Sequence, residues 1–330
     1  MGKNGLLIPT VAAYLGAKTR LVPKLIDLIN QAENITTFGE IFGGMGSTLI
    51  NKSRHPVEIY NDLAVENYSI FKCFSDPDLS VPFIEAIENS EYSLDTFCKY
   101  RNVYDAEIDP VICDYTDKMD LEKDPAAQKK LNSEFNQWRD DNILKIGITS
   151  LLLTKMTPRG LILNKSFAGV ARGEDQQFEN WKLNLNTYAE RLNGVQARNQ
   201  DALEIIREYY NDPHAIFLCD SPYFGKNTNH GIAYLADSAT QRKRKIKLTK
   251  AQRAEAEEKF QREYMSTIQH AKCNIIVCGY KNDLYDEYLK PEFDWECFCI
   301  DEIAKLAKNN GKGEMRDRVR EYIWVNYNIH

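Results

Sequence analysis

Residues 36–47 read TTFGEIFGGMGS: a short strand-like run at 36–42 that breaks into a glycine-rich turn at 43–47. A helical stretch follows, and a second strand-like run, VEIYND, closes at Asp62. Strand, glycine turn, helix and strand in that order open a doubly wound α/β sheet. Upstream, Leu21, Leu25, Ile26 and Ile29 recur at helical spacing, with Thr19 available as a cap. Downstream, residues 65–145 mix Asp, Glu and Lys with few β-branched runs and read as a mostly helical insert. Strand patterns return at AIFLC (215–219), NIIVC (274–278) and YIWVNY (322–327). The charged run 240–261 reads as a helix or a loop.

The chain has 330 residues, 43% hydrophobic and 27% charged, which suits a globular protein with a sizeable core. Its longest apolar stretches, 151–153 and 216–219, are far too short to span a bilayer, and the N-terminus carries no signal-peptide pattern. The expectation is a cytoplasmic protein with no membrane association. Eight cysteines without a CxxC pair predict free thiols, with no disulfide framework and no metal site. The net charge of −6 disfavours nucleic acid only weakly, because a local basic face outweighs a global sum.

Two features carry chemistry. Glycines at a turn let backbone amides approach a ligand, although Gly43, Gly44 and Gly46 alone fit a purely conformational role equally well. Asp62 sits at the end of the next strand, where doubly wound folds place an acid that accepts from ribose hydroxyls. The pair points to a nucleoside-containing cofactor without saying which; the turn is not GxGxxG. The second feature is Asp220-Ser221-Pro222-Tyr223, directly after the strand at 215–219. Asp220 and a neighbouring carbonyl offer two acceptors for an exocyclic amine, and Tyr223 offers a ring face for an extruded base. An isolated DSPY would more simply end a strand. Its register with the turn and Asp62 is what sets it apart.

Taken together these segments resemble the Dam-like (alpha-class) DNA adenine-N6 methyltransferases over nearly the whole chain. YLGAKTR (14–20) is similar to that family's opening segment, FGEIFGGMGS (38–47) to its cofactor loop with Ile41 where proline is usual, and YNDLAVEN (60–67) to its acidic strand end. NQDALE (199–204), DSPY (220–223) and RDRVREYIWVNY (316–327) follow in the family's order. The resemblance implies a Rossmann-like methyltransferase sheet. It implies that S-adenosylmethionine is held by Tyr14, Lys18, Phe42, Gly44, Gly46, Ser47, Asp62 and Asp201, with Asp220, Ser221, Pro222 and Tyr223 catalytic. Phe42 would lie near the sulfonium. The substrate would be double-stranded DNA and the protein a monomer, with a cognate restriction enzyme as an optional partner.

The family's order divides the chain into a discontinuous catalytic domain, 1–75 with 191–330, and a target-recognition insert, 76–190. Within the insert, 142–173 holds Lys145, Lys155, Arg159, Lys165 and Arg172 and no acid. Lys155, Arg159, Lys165 and Arg172 are candidate DNA contacts, as are Arg242, Lys243 and Arg244 in the run after the DSPY loop. Both stretches are also readable as solvated basic faces. Ser221 departs from the family's proline, but its carbonyl is available from any residue type, and Pro222 holds it in extended conformations. The expectation is retained catalysis with a less rigid loop. Rival readings are a DNA-binding module without activity, and methylation of cytosine N4 or of RNA.

Overall fold

The structure is a computed structural model that describes residues 7–13, 18–222, 249–304 and 318–329. A seven-stranded sheet has the order β3-β2-β1-β4-β5-β7-β6. Its strands are β1 (Thr37–Glu40), β2 (Val57–Asn61), β3 (Gln196–Arg198), β4 (Ala215–Cys219), β5 (Asn274–Gly279), β6 (Glu296–Ala304) and β7 (Arg318–Val325). The first five run parallel. β7 is antiparallel to both β5 and β6, so β6 again points with the parallel set.

Both faces of the sheet are buried, and the side chains divide by parity. Phe38, Tyr60, Ile216, Leu218, Ile276 and Ile323 face one apolar cluster. Ile41, Ile59, Phe217, Cys219, Ile275, Val277 and Trp324 face the other. Near-continuous apolar strands are what a sheet covered on both sides requires. The first cluster packs under α1 (Val22–Gln31) and α3 (Val65–Ser75). Thr19 does not cap α1: the N-cap is Leu21 with no side-chain bond, and Pro23 in the first turn starts the helix instead. The second cluster packs under α11 (Ala202–Glu208), α12 (Lys250–Ile268) and α13 (Asp283–Tyr288). The charged run therefore becomes helix from Lys250, where Thr249 and Gln252 form a reciprocal cap.

Between α3 and β3 the described chain is helical: α4 (Pro77–Glu88), α5 (Leu94–Val103), a π-helical turn (Tyr104–Ile108), α6 (Asp109–Leu121), α7 (Pro125–Asp141), α8 (Ile143–Met156), α9 (Glu174–Lys182) and α10 (Leu185–Leu192). α8 is buried along most of its length, and its Leu151, Leu152 and Leu153 join the core that covers the sheet. No helix among the described residues is long and apolar enough to cross a membrane.

Candidate active site

The site lies at the carboxyl ends of the parallel strands. After β1 the chain turns at Gly43, whose amide donates to the Asn61 carbonyl at 2.8 Å. Gly44 and Gly46 are left-handed, with φ of 50° and 57°, and a Cβ on Gly46 would lie 2.6 Å from the Phe71 ring. Only glycine satisfies both demands at position 46. The short α2 (Ser47–Asn51) then begins, and Glu40 reaches across from β1 to accept from the Leu49 amide at 2.7 Å. Burial pushes the Glu40 carboxyl up to about 8, against the pull of that amide and with the nearby Asp220 charge adding to the rise.

Asp62 is buried just beyond β2. One carboxylate oxygen accepts from the Gly44 amide at 2.8 Å and the Asn67 side chain at 3.1 Å; the other accepts from the Ala64 amide at 2.8 Å. Burial raises this carboxyl to about 6 despite those bonds. Two asparagines staple the strand ends together. Asn61 donates to the carbonyls of Ile41 and Gln200, and Asn199 donates to those of Asp62 and Leu63. The Leu63 side chain, beside the acid, is 68% exposed.

Beyond β4, Asp220 Oδ1 lies 3.2 Å from Lys18 Nζ, which also reaches Glu321 Oε1 at 3.1 Å. Burial works against this ammonium, but Asp220 and Glu321 outweigh it and hold Lys18 above the ordinary lysine value. Ser221 is buried, and its hydroxyl makes no hydrogen bond of normal geometry. The Pro222 carbonyl accepts from Gln261 Nε2 at 2.8 Å, and Gln261 Oε1 accepts from the Tyr285 hydroxyl at 3.1 Å.

The family model for the D12 class N6 adenine-specific DNA methyltransferases matches residues 14–291. The chain belongs to that family. It is an enzyme, and it methylates adenine N6 in DNA. No curated protein matches the chain.

The sheet of this adenine methyltransferase brings the strand-end residues together, and the remaining candidates fall around them. Ser47 is buried as the first residue of α2. Asp201 is exposed and caps α11 through the Leu203 amide at 2.9 Å. Phe42 is half-buried and leans onto α12, with edge contacts to Tyr264 at 5.7 Å and Phe260 at 6.4 Å between ring centres. Tyr14, Tyr223, Arg242, Lys243 and Arg244 lie outside the described residues. Glu40, Asn61, Asn199, Gln261, Tyr285 and Glu321 escaped the sequence reading. For Asn61 and Asn199 the only signal was their place beside the two acids.

The basic stretch of this methyltransferase looks different in space. Acids of the π-helical turn meet it: Lys165 pairs with Asp105 at 2.6 Å and Lys145 with Glu107 at 2.9 Å. Lys155 turns inward, its ammonium 4.2 Å from the centre of the Trp181 ring, and burial lowers it to about 8. Arg159 and Arg172 are exposed, Arg159 in a left-handed conformation at φ 61°.

Proposed function

We propose that the ends of β3, β2, β1 and β4 form one continuous site for S-adenosylmethionine and a flipped-out adenine. The observation that carries this is their adjacency. Four neighbouring parallel strands lead, in spatial order, to Asp201, Asp62, the glycine turn and Asp220. The donor set suits a nucleoside: carboxylates at two neighbouring strand ends match hydroxyl and amino groups, and exposed Leu63 offers an apolar face for a flat base. Lys18, Phe42, Gly44, Gly46, Ser47, Asp62 and Asp201 would hold the cofactor, with Tyr14 alongside. S-adenosylmethionine, when bound, supplies a methyl group activated by a sulfonium.

The chain's own task is to prepare the amine. Its lone pair is delocalised into the purine ring, so the nitrogen is a poor nucleophile. Asp220 and the Ser221 carbonyl accept from its two N–H groups, which favours a pyramidal nitrogen with a localised pair. The Pro222 carbonyl is already engaged by Gln261, which favours Ser221 as the second acceptor. Once methylated, the amine is a strong acid until it loses a proton, so Asp220 need not be a strong base. Tyr223 would stack the base after extrusion, whose cost is a few kcal/mol. Residues 76–190 would then be the target-recognition region, reading duplex DNA for a monomeric enzyme.

The test is to incubate the protein with methyl-labelled cofactor and mixed-sequence duplex DNA, then digest the DNA to nucleosides. Label in N6-methyladenine is expected. Asp220→Ala should abolish it while cofactor binding persists. Label on another base, or an active Asp220→Ala variant, overturns the reading.

A further inference from the structure

We propose that Gln261 is a positioning residue for methyl transfer, holding the Pro222 carbonyl aside so that the Ser221 carbonyl points at the substrate amine. This rests on reading Asp220–Pro222 as the amine-binding loop. Gln261 is fully buried in α12, the helix whose Tyr264 and Met265 belong to the second apolar cluster. A buried amide is costly unless bonded, and leucine would fill this volume without that cost. Here both ends of the amide are used. Its nitrogen donates to Pro222 at 2.8 Å, and its oxygen accepts from Tyr285 at 3.1 Å. Only one orientation of the side chain satisfies a carbonyl on one side and a phenol on the other.

The phenol is itself fixed. Tyr285 is 1% exposed, its ring meets Trp324 edge-on at 5.2 Å, and its amide donates to Asn282 at the start of α13. The chain Trp324, Tyr285, Gln261, Pro222 therefore transmits the rigidity of β7 and α13 to the loop.

The need for such a tether follows from the sequence. Ser221 has one more free backbone torsion than a proline there, and its buried hydroxyl, beside the Tyr285 phenol, makes no hydrogen bond of normal geometry to hold it. Its carbonyl direction is then set by its neighbour, and the side-chain bond to the neighbour's carbonyl comes from Gln261.

Three variants test this. Gln261→Leu keeps the bulk and removes both bonds, and kcat should fall on the order of 10-fold or more while cofactor and DNA affinities hold. Gln261→Glu retains both bonds when protonated, its hydroxyl donating to Pro222 and its carbonyl accepting from Tyr285. Once ionised it sets acceptor against acceptor. Its kcat should approach that of the wild type at low pH and decline as pH rises, with a step missing from the wild-type profile. A packing role would give no such step, and this profile remains decisive if Gln261→Leu fails to fold. Unchanged kcat in Gln261→Leu, or a wild-type pH profile in Gln261→Glu, overturns the proposal. Asp220→Ala separates the two readings. If it is inactive and Gln261→Leu is not, only the positioning role falls; if it is active, the loop assignment falls.

Discussion

Lys18 and Glu321 form a buried ion pair of 3.1 Å that also reaches Asp220, joining the segment before α1 to β7 and to the loop after β4. Glu321 is only 2% exposed, so removing Lys18 takes a close cation away from a buried carboxylate. Lys18→Met should cost about 3 kcal/mol or more of stability, the usual result of breaking a buried pair from one side. Lys18→Met/Glu321→Leu should recover most of that loss, because an apolar pair needs no compensation. It should not recover the transfer rate, since the Lys18 ammonium is still missing from its place 3.2 Å from Asp220 Oδ1. Denaturant unfolding and single-turnover rates on both variants check this. Recovery of both quantities together would reduce Lys18 to a structural role.

Glu40 predicts a pH-dependent stability. Its carboxyl rises from an ordinary 4.5 to about 8 in the folded protein. Within that window the folded state keeps a proton that the unfolded chain releases. The contribution is therefore whole below 4.5 and is lost as pH rises through about 8. Glu40→Gln is neutral throughout and can still accept from the Leu49 amide. Its melting temperature should fall less than the wild type's across this window, and parallel melting curves would refute the assignment.

Asp62 gives the same kind of test for binding. Its carboxyl is held up to about 6 by burial. If it accepts from cofactor hydroxyls, the cofactor must favour the ionised form, so affinity should climb as pH rises through about 6 and then level off. Asp62→Asn should bind more weakly and lack the step. Calorimetric titrations of both proteins across that range cancel the cofactor's own ionisations, and a shared profile would remove Asp62 from the cofactor site.

What could be read from the sequence followed locality. The turn at 43–47, Asp62 and residues 220–222 each sit beside an apolar run whose burial fixes the local fold, so their place at the sheet edge was legible. β3 is three residues, Gln-Ala-Arg, none of them buried, and β6 is interrupted by Asp and Glu; both are strands because a neighbour pairs with them. Glu321 reads as an outward charge in RVREYIWV until Lys18, three hundred residues earlier in the chain, is brought beside it. Gln261 was hidden in a charged run whose inward face only the packing of α12 reveals. The stretch 142–173 was acid-free as a string, yet Asp105 and Glu107 stand opposite it in space.

That last difference separates the basic residues experimentally. Each phosphate contact releases counterions, so its removal lowers the slope of log affinity against log salt by about 1. Arg159 and Arg172 are exposed and make no ion pair with the π-helical acids, whereas Lys165 shares its charge with Asp105 and Lys155 has drawn its ammonium over Trp181. Arg159→Ala and Arg172→Ala should each weaken duplex binding and reduce the slope by about 1, with stability unchanged. Lys165→Ala should do less, because the pair with Asp105 must break before a phosphate can take its place. Lys155→Ala should leave the slope alone and instead lower stability, through the lost packing of its stem and the lost cation–π contact, by about 1 kcal/mol. Binding isotherms at several salt concentrations measure all four. A slope change for Lys155→Ala equal to that for Arg159→Ala would mean that Lys155 swings outward onto DNA, and that the contact with Trp181 belongs to the free enzyme alone.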